Sequence, residues 1–188
     1  MVRSLCAGGR GWENVAVTDE RADRPLPSVT LRPIDPAHAR AIINGAPCSG
    51  DTWAPGYPTE GDIESARMAL KAERERGSSP FCCYELLDQS RRTIGGAGFH
   101  GPPGDDGVVE IGYGIAPSTR HLGFARAAIV ELVGIASANG ATRLSARTAP
   151  HNLASQRALE HVGFVVDRTD VVFCHHVLDC TARDGRAE

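Results

Sequence analysis

The stretch Arg120-His-Leu-Gly-Phe-Ala125 constrains this chain most, because an apolar strand-like run enters it and an amphipathic helical run leaves it. Gly123 permits backbone angles that a Cβ forbids and lets the main chain approach a neighbour closely, and small Ala125 leaves room beside it. The first turn of the helix that follows must present N–H groups without intrahelical acceptors, together with the positive end of its dipole. Such a turn is either simple chain reversal at a strained glycine or a seat for an anion such as phosphate or pyrophosphate.

The elements on either side set the architecture. Val29–Arg32 alternates like a short strand that Pro33 should end. Asp35-Pro36 reads as an N-cap and first-position proline, opening a helix that stops at Asn44-Gly45. Residues 46–58 form a loop carrying Trp53 and Tyr57, which either pin the loop to the core or wall a substrate site. Thr59 and Asp62 have capping-box spacing, and the helix they open ends near Gly77. Strands follow at 81–87, 93–99 and 108–115, then a helix from the Gly123 turn to Asn139-Gly140, a strand at 143–148 and a helix at 152–162. A final hairpin pairs 164–166 with 171–178 across Asp167–Asp170. Hairpins give antiparallel pairs and the strand-helix-strand unit a parallel one. The expected fold is therefore α/β in the α+β sense: a mixed, mostly antiparallel sheet of seven strands flanked by helices. Residues 1–28 read as a flexible leader, 29–179 as one domain and 180–188 as a frayed tail.

Composition narrows the function classes. A net charge of −3, with arginines scattered and Lys71 the only lysine, argues against a nucleic-acid surface. The six cysteines lack C-x-x-C or Cys/His zinc spacing, so no metal is expected and free thiols in a reducing, cytoplasmic setting are. No apolar run has membrane-spanning length, so no membrane association is expected.

Taken together and in order, Glu110-Ile-Gly-Tyr-Gly-Ile115-Ala-Pro117, Arg120-x-x-Gly123-x-Ala125, and Asn152-x-x-Ser155 before Gly163-Phe164 resemble the GNAT superfamily of acetyl-CoA-dependent N-acetyltransferases. Glu110-Ile-Gly-Tyr113 and Asn152-x-x-Ser155 are similar to the branch that includes ribosomal-protein N-terminal acetyltransferases. The resemblance implies a splayed central strand pair. It implies acetyl-CoA, held by Tyr113, Gly114 and Ile115 along the arm and by Arg120, His121, Leu122, Gly123, Phe124, Ala125 and Arg126 around the pyrophosphate, with Asn152 and Ser155 beside it. Gly112 and Gly114 suit a bulge that would help the strands part. Many members place a tyrosine five residues before the Phe of the Gly-Phe pair to protonate the departing thiolate. Leu159 stands there, which motivates an alternative in which the chain binds acyl-CoA without catalysis; Ser155 resembles the serine that the N-terminal acetyltransferase branch places beside the thiol, unless it only completes the cap of its helix. Glu110 is the candidate base, through a water, unless it serves a salt bridge at the strand start; His100 is its rival, and with Trp53 and Tyr57 it stands on the acceptor side. The acceptor is expected to be a primary amine, at a peptide N-terminus or on a small molecule such as an antibiotic, and the protein a monomer or homodimer.

Overall fold

The computed structural model describes residues 25–76 and 79–180. Seven strands make one sheet: β1 Thr30–Pro33, β2 Cys83–Leu87, β3 Thr93–Phe99, β4 Val108–Ile115, β5 Arg143–Thr148, β6 Val165–Thr169 and β7 Cys174–Asp179. Their order is β1-β2-β3-β4-β5-β7-β6, and only β4 and β5 run parallel among neighbours. That parallel step is spanned by helix α3, Phe124–Ala138, as parallel neighbours require a crossover. The other helices are α1 Pro36–Asn44, α2 Glu60–Arg76 and α4 Leu153–Val162, with one 3-10 turn at Pro117–Thr119. No helix among the described residues is long and apolar enough to cross a membrane.

Local chemistry sets the helix ends. Asp35 Oδ1 accepts from the N–H groups of Ala37 and His38 at 2.8 Å each, and Gly45 closes α1 at φ 70°. Asp62 returns to Thr59 at the head of α2, accepting from its N–H at 2.8 Å and its hydroxyl at 2.7 Å. Asn152 caps α4 through Ser155 N–H at 3.2 Å, and Gly163 ends it in a left-handed conformation.

Helices cover both faces of the sheet. Ile129 and Leu132 of α3 and Leu159 of α4 are fully buried with Ile94 and Leu144. α1 and α2 pack on each other, and α2 lies over β2 and β3. Because side chains alternate along a strand, Val109, Ile111 and Tyr113 face α3 and α4, whereas Glu110, Gly112 and Gly114 face the α2 side.

The structure corrects the expected pairing in three places. Pro33, the last residue of β1, does not end its pairing: it sits opposite Tyr84, and Ile34 N–H continues the ladder to Cys83 O at 2.9 Å, since an edge strand tolerates a missing donor on its solvent side. The last hairpin turns at Asp170–Phe173 rather than Asp167–Asp170. Asp170 Oδ1 takes the N–H groups of Val172 and Phe173 at 2.8 Å each, and Asp167 lies at a shift of register between Val166 and Arg168. The β3–β4 ladder runs from Gly95–Ile115 to Phe99–Ile111 without any such shift, so Gly112 and Gly114 serve no bulge.

Of the expected leader, residues 1–24 lie outside the described residues, as do 181–188 of the tail. The end of the leader reaches α3: Pro27 Cδ stands 3.2 Å from where a Cβ on Gly123 would be. The five described cysteines are free thiols.

Candidate active site

The sheet opens at its centre. β4 and β5 pair only from Val108–Arg143 to Ile111–Ala146, although β4 continues to Ile115 and β5 to Thr148. On its other side β4 stays bonded to β3, where His100 N–H donates to Glu110 O at 3.0 Å and Ala116 N–H to Ile94 O at 2.8 Å. Antiparallel partners alternate, so Gly112 and Gly114 also turn their peptide groups to β3, and Tyr113 and Ile115 turn theirs into the gap. An amide-bearing chain entering the gap would meet these as it would meet a strand edge.

The turn before α3 stands at the mouth of this gap. His121 has φ 63° and Gly123 φ 89°, two left-handed residues bracketing Leu122, and α3 starts with no side-chain cap on its N-terminal N–H groups. Successive N–H groups in such a turn, with the helix dipole behind them, form a concave seat for an anion. His121, Leu122 and Gly123 are exposed, and Phe124, Ala125 and Arg126 partly so, in keeping with a surface ligand. Arg120 reaches back instead, Nε donating to Ile115 O at 3.1 Å, which ties the turn to the end of β4.

Tyr113 spans the space beneath the gap and donates its hydroxyl to Ser155 O on α4 at 3.2 Å. Burial pushes its pKa up to about 12. Asn152 and Ser155 thus stand together at the start of α4, linked to β4 by this contact. Leu159 is fully buried, so the place of the absent tyrosine is core, not site.

At the centre of the opposite face the strands contribute no side chains of their own. Gly98 pairs with Gly112 and Gly96 with Gly114, so two cross-strand pairs leave a bare floor of backbone. A cleft of about 280 Å³ lies over it, walled by Thr59, Asp62, Ser65 and Met68 of the α2 segment and by His100. His100 is exposed, with Nε2 3.1 Å from where a Cβ on Gly112 would stand. Glu110 continues the same face but is held by Arg147 Nε at 2.7 Å, the salt bridge weighed as the alternative to a base. Arg147 in turn lies over the Phe173 ring, 5.2 Å from its centroid.

Trp53 and Tyr57 sit elsewhere. Their rings meet edge-on at 5.1 Å, Tyr57 is buried, and the loop is laced to β3 by Thr93 N–H to Thr52 O at 2.9 Å and Ala54 N–H to Thr93 O at 2.8 Å. Neither ring lines the glycine-floored cleft. Burial, with Glu85 and Asp62 nearby, pushes the Tyr57 hydroxyl far above its ordinary range.

The sequence reading missed Arg147, Asp62 as a cleft residue, and Gly96 and Gly98 of β3. The run Gly95-Gly96-x-Gly98 was the available signal, since a strand this poor in side chains suggests close approach of something else.

Residues 28–165 match the acetyltransferase (GNAT) domain family. The chain belongs to the GNAT family of acetyltransferases. A Bacillus subtilis relative described as the uncharacterized N-acetyltransferase YjdG is 34% identical over 131 residues, spanning 65% of this chain and 78% of the relative. Among solved structures, the dodecameric spermidine N-acetyltransferase from Vibrio cholerae superposes with a TM-score of 0.64 at 18% identity, covering 85% of this chain and 98% of that one. Mycobacterium smegmatis RimJ in complex with CoA-disulfide superposes at 0.57 with 20% identity, covering 82% and 83%. At those identities the structural likeness speaks for the fold. Family membership makes the protein an acetyl-CoA-dependent N-acetyltransferase.

The residues present fit that cofactor. An uncapped helix start behind a two-residue left-handed turn suits a pyrophosphate, and a β4 edge that faces an open gap suits an amide-bearing arm. A metal fits less well. His38, Cys48 and Asp51 bring ligand atoms within 4.8 Å of one another, but Arg32 grips both Asp51 oxygens at 2.9 and 3.0 Å, placing a fixed cation where another would bind.

Proposed function

We propose that this acetyltransferase modifies the free α-amino group of a peptide chain, with the acceptor arriving over the glycine floor and the acetyl donor lying in the β4–β5 gap. The observation that carries this reading is a second cavity beside the acceptor cleft: about 600 Å³, lined by Pro33, Ile34, Lys71, Phe81 and Tyr84, it shares Met68, Cys83, Phe99 and His100 with the cleft. A peptide can place its first residue on the floor and its following residues in the larger space, whereas a small amine fills the floor alone.

Acetyl-CoA supplies an acetyl group activated as a thioester. In this chain Tyr113 and Ile115 would hold its arm with main-chain groups, and the turn from Arg120 to Arg126 its pyrophosphate, with Asn152 and Ser155 alongside. Arg120, released from Ile115 O, could add charge-assisted bonds to phosphate oxygens. The N–H of Ile115, turned into the gap, would face oxygen as charge develops there; one such donor is worth about 2.7–4 kcal/mol elsewhere. Glu110 and His100, opposite one another on β4 and β3, would take the acceptor's proton directly or through water.

An α-amino group, with an ordinary pKa of about 7.7–8.0, is uncharged far more often at neutral pH than a lysine amine at about 10.4. The second reading, a small polyamine or antibiotic amine, draws on the cleft's charged side chains: Asp62 and Glu64 line it, without lysine or arginine. Comparing kcat/KM for a free-N-terminus peptide of several residues, the same peptide truncated to one residue, and spermidine decides between them. A peptide preference that grows with length supports the reading; equal or better use of spermidine overturns it.

A further inference from the structure

We propose that Asp62 receives the acceptor amine, taking its ammonium nitrogen against Oδ1 above the Gly96–Gly114 pair, a reading that rests on the function proposed above and names the residue that selects a primary amine. Asp62 looks at first like an ordinary capping-box acid, and one oxygen does that work: Oδ2 accepts both bonds from Thr59. Oδ1 makes no hydrogen bond to the described residues and lies against the sheet, 2.6 Å from where a Cβ on Gly96 would be. Any side chain at 96 would displace this carboxylate, so the glycine and the acid form one feature.

Burial makes the arrangement conspicuous. Asp62 is 4% exposed, yet no cation pairs with it among the described residues. Its neighbour Glu85, equally buried, takes Arg32 Nε at 3.0 Å and a second guanidinium nitrogen at 2.9 Å. A buried carboxylate without a counter-charge is costly, and burial raises the Asp62 pKa in spite of the Thr59 bonds. A primary ammonium entering the cleft supplies the missing charge, and its three N–H donors and small radius suit a floor of bare backbone. Adjacent strands lie about 4.8 Å apart, so Oδ1 above Gly96 is one strand spacing from Gly114 on β4, the strand that borders the gap.

The groups facing Asp62 leave this role to it. Tyr57 on the preceding loop is a neutral, partnerless hydroxyl, Glu64 is the next acid on α2, Cys83 and Glu85 come from β2 with Arg32 of β1 committed to Glu85, and His100 and Glu110 close the far end from β3 and β4. The acids add negative potential, and the arginines beside them are committed, Arg32 to Glu85 and Arg147 to Glu110.

The test uses the full chain with acetyl-CoA and, as acceptors, trialanine and butylamine. Asp62→Asn keeps an oxygen for the Thr59 bonds. It should raise the KM for either amine roughly 10- to 100-fold at neutral pH, the range for loss of a charged hydrogen bond, and leave the KM for acetyl-CoA within about twofold. The difference should shrink as pH passes the amine's own pKa, about 8 for the peptide and above 10 for the alkylamine. Leu132→Ala, which hollows the core beneath α3 and leaves the cap and the carboxylate in place, should lower the melting temperature without moving the amine KM. If the two variants shift the KM alike, or Asp62→Asn leaves it unchanged, Asp62 is only a cap and the proposal falls. A second arm does not depend on turnover. With ¹³C-carboxyl aspartate, the resonance absent from Asp62→Asn should move on adding butylammonium chloride and stay put with tetramethylammonium chloride, which has no N–H; no shift, or the same shift with both salts, overturns the proposal even if no amine is acetylated.

Discussion

Replacing Gly123 with aspartate and with alanine separates the backbone requirement of the turn from its electrostatics. At φ 89° any side chain is strained, and a left-handed non-glycine residue costs roughly 1–2 kcal/mol. The new Cβ would also stand 3.2 Å from Pro27 Cδ, a contact that the proline can relieve by shifting a few tenths of an ångström. Both variants carry these costs, so both should lose similar stability in denaturant titrations. Only aspartate adds a negative charge to the seat. Two unit charges 4 Å apart interact by about 1 kcal/mol in water and about 4 kcal/mol near a protein surface, and since this turn is exposed we expect about 1–3 kcal/mol. At about 1.4 kcal/mol per tenfold, the Kd for coenzyme A should rise roughly 5- to 150-fold more in Gly123→Asp than in Gly123→Ala. The excess should nearly vanish at 1 M salt, where the screening length is about 3 Å. Isothermal titration of wild type and both variants with coenzyme A at low and high salt reads all of this. A folded Gly123→Asp protein that binds within twofold of Gly123→Ala at low salt would refute the anion seat.

Other consequences are checked more simply. Glu110→Gln should lower kcat at neutral pH with the affinity for coenzyme A unchanged; if His100→Ala does this and Glu110→Gln does not, the proton goes to the histidine and Glu110 serves only Arg147. Leu159→Ala should cost about 2–5 kcal/mol in urea unfolding, as for other buried leucines, in keeping with a core role at the position where relatives place a tyrosine. The folded pKa of Tyr113 lies near 12, above its ordinary value of about 10, so its neutral form contributes stability that is present below pH 10 and lost as pH rises to 12. Tyr113→Phe should therefore lose the Ser155 bond, about 0.5–1.5 kcal/mol, at neutral pH and show a shallower fall in stability over that alkaline interval.

The helix ends were legible because their signals are local. Asp35-Pro36, Asn44-Gly45, Asn139-Gly140 and Gly163 each cap or stop a helix by their own conformational preference, and the structure puts the ends of α1, α3 and α4 there. The Gly123 turn and the parting of β4 from β5 followed from chain order together with the family resemblance. The glycine-floored cleft was not legible, because it exists only once the register is set. Gly96, Gly114 and Asp62 come from three segments, and nothing near any one of them reveals that an α2 carboxylate rests on a glycine pair of β3 and β4. Glu110 and Arg147 are likewise joined by the parallel pairing of β4 and β5. The last hairpin was misplaced because Asp167 and Asp170 look alike in sequence; one marks an irregularity in the ladder and the other organises the turn.

The central claim is that the chain moves an acetyl group to an amine across the β4–β5 gap, without a tyrosine at 159. The most direct measurement is thiol release from acetyl-CoA by the purified full chain, followed with and without a free-N-terminus peptide, with mass analysis of the peptide. Release that requires the peptide, saturates with it and leaves it acetylated at its N-terminus is the predicted result. Tight binding of acetyl-CoA with no amine-dependent release across peptide, polyamine and antibiotic acceptors would contradict it and leave an acyl-CoA-binding protein in its place.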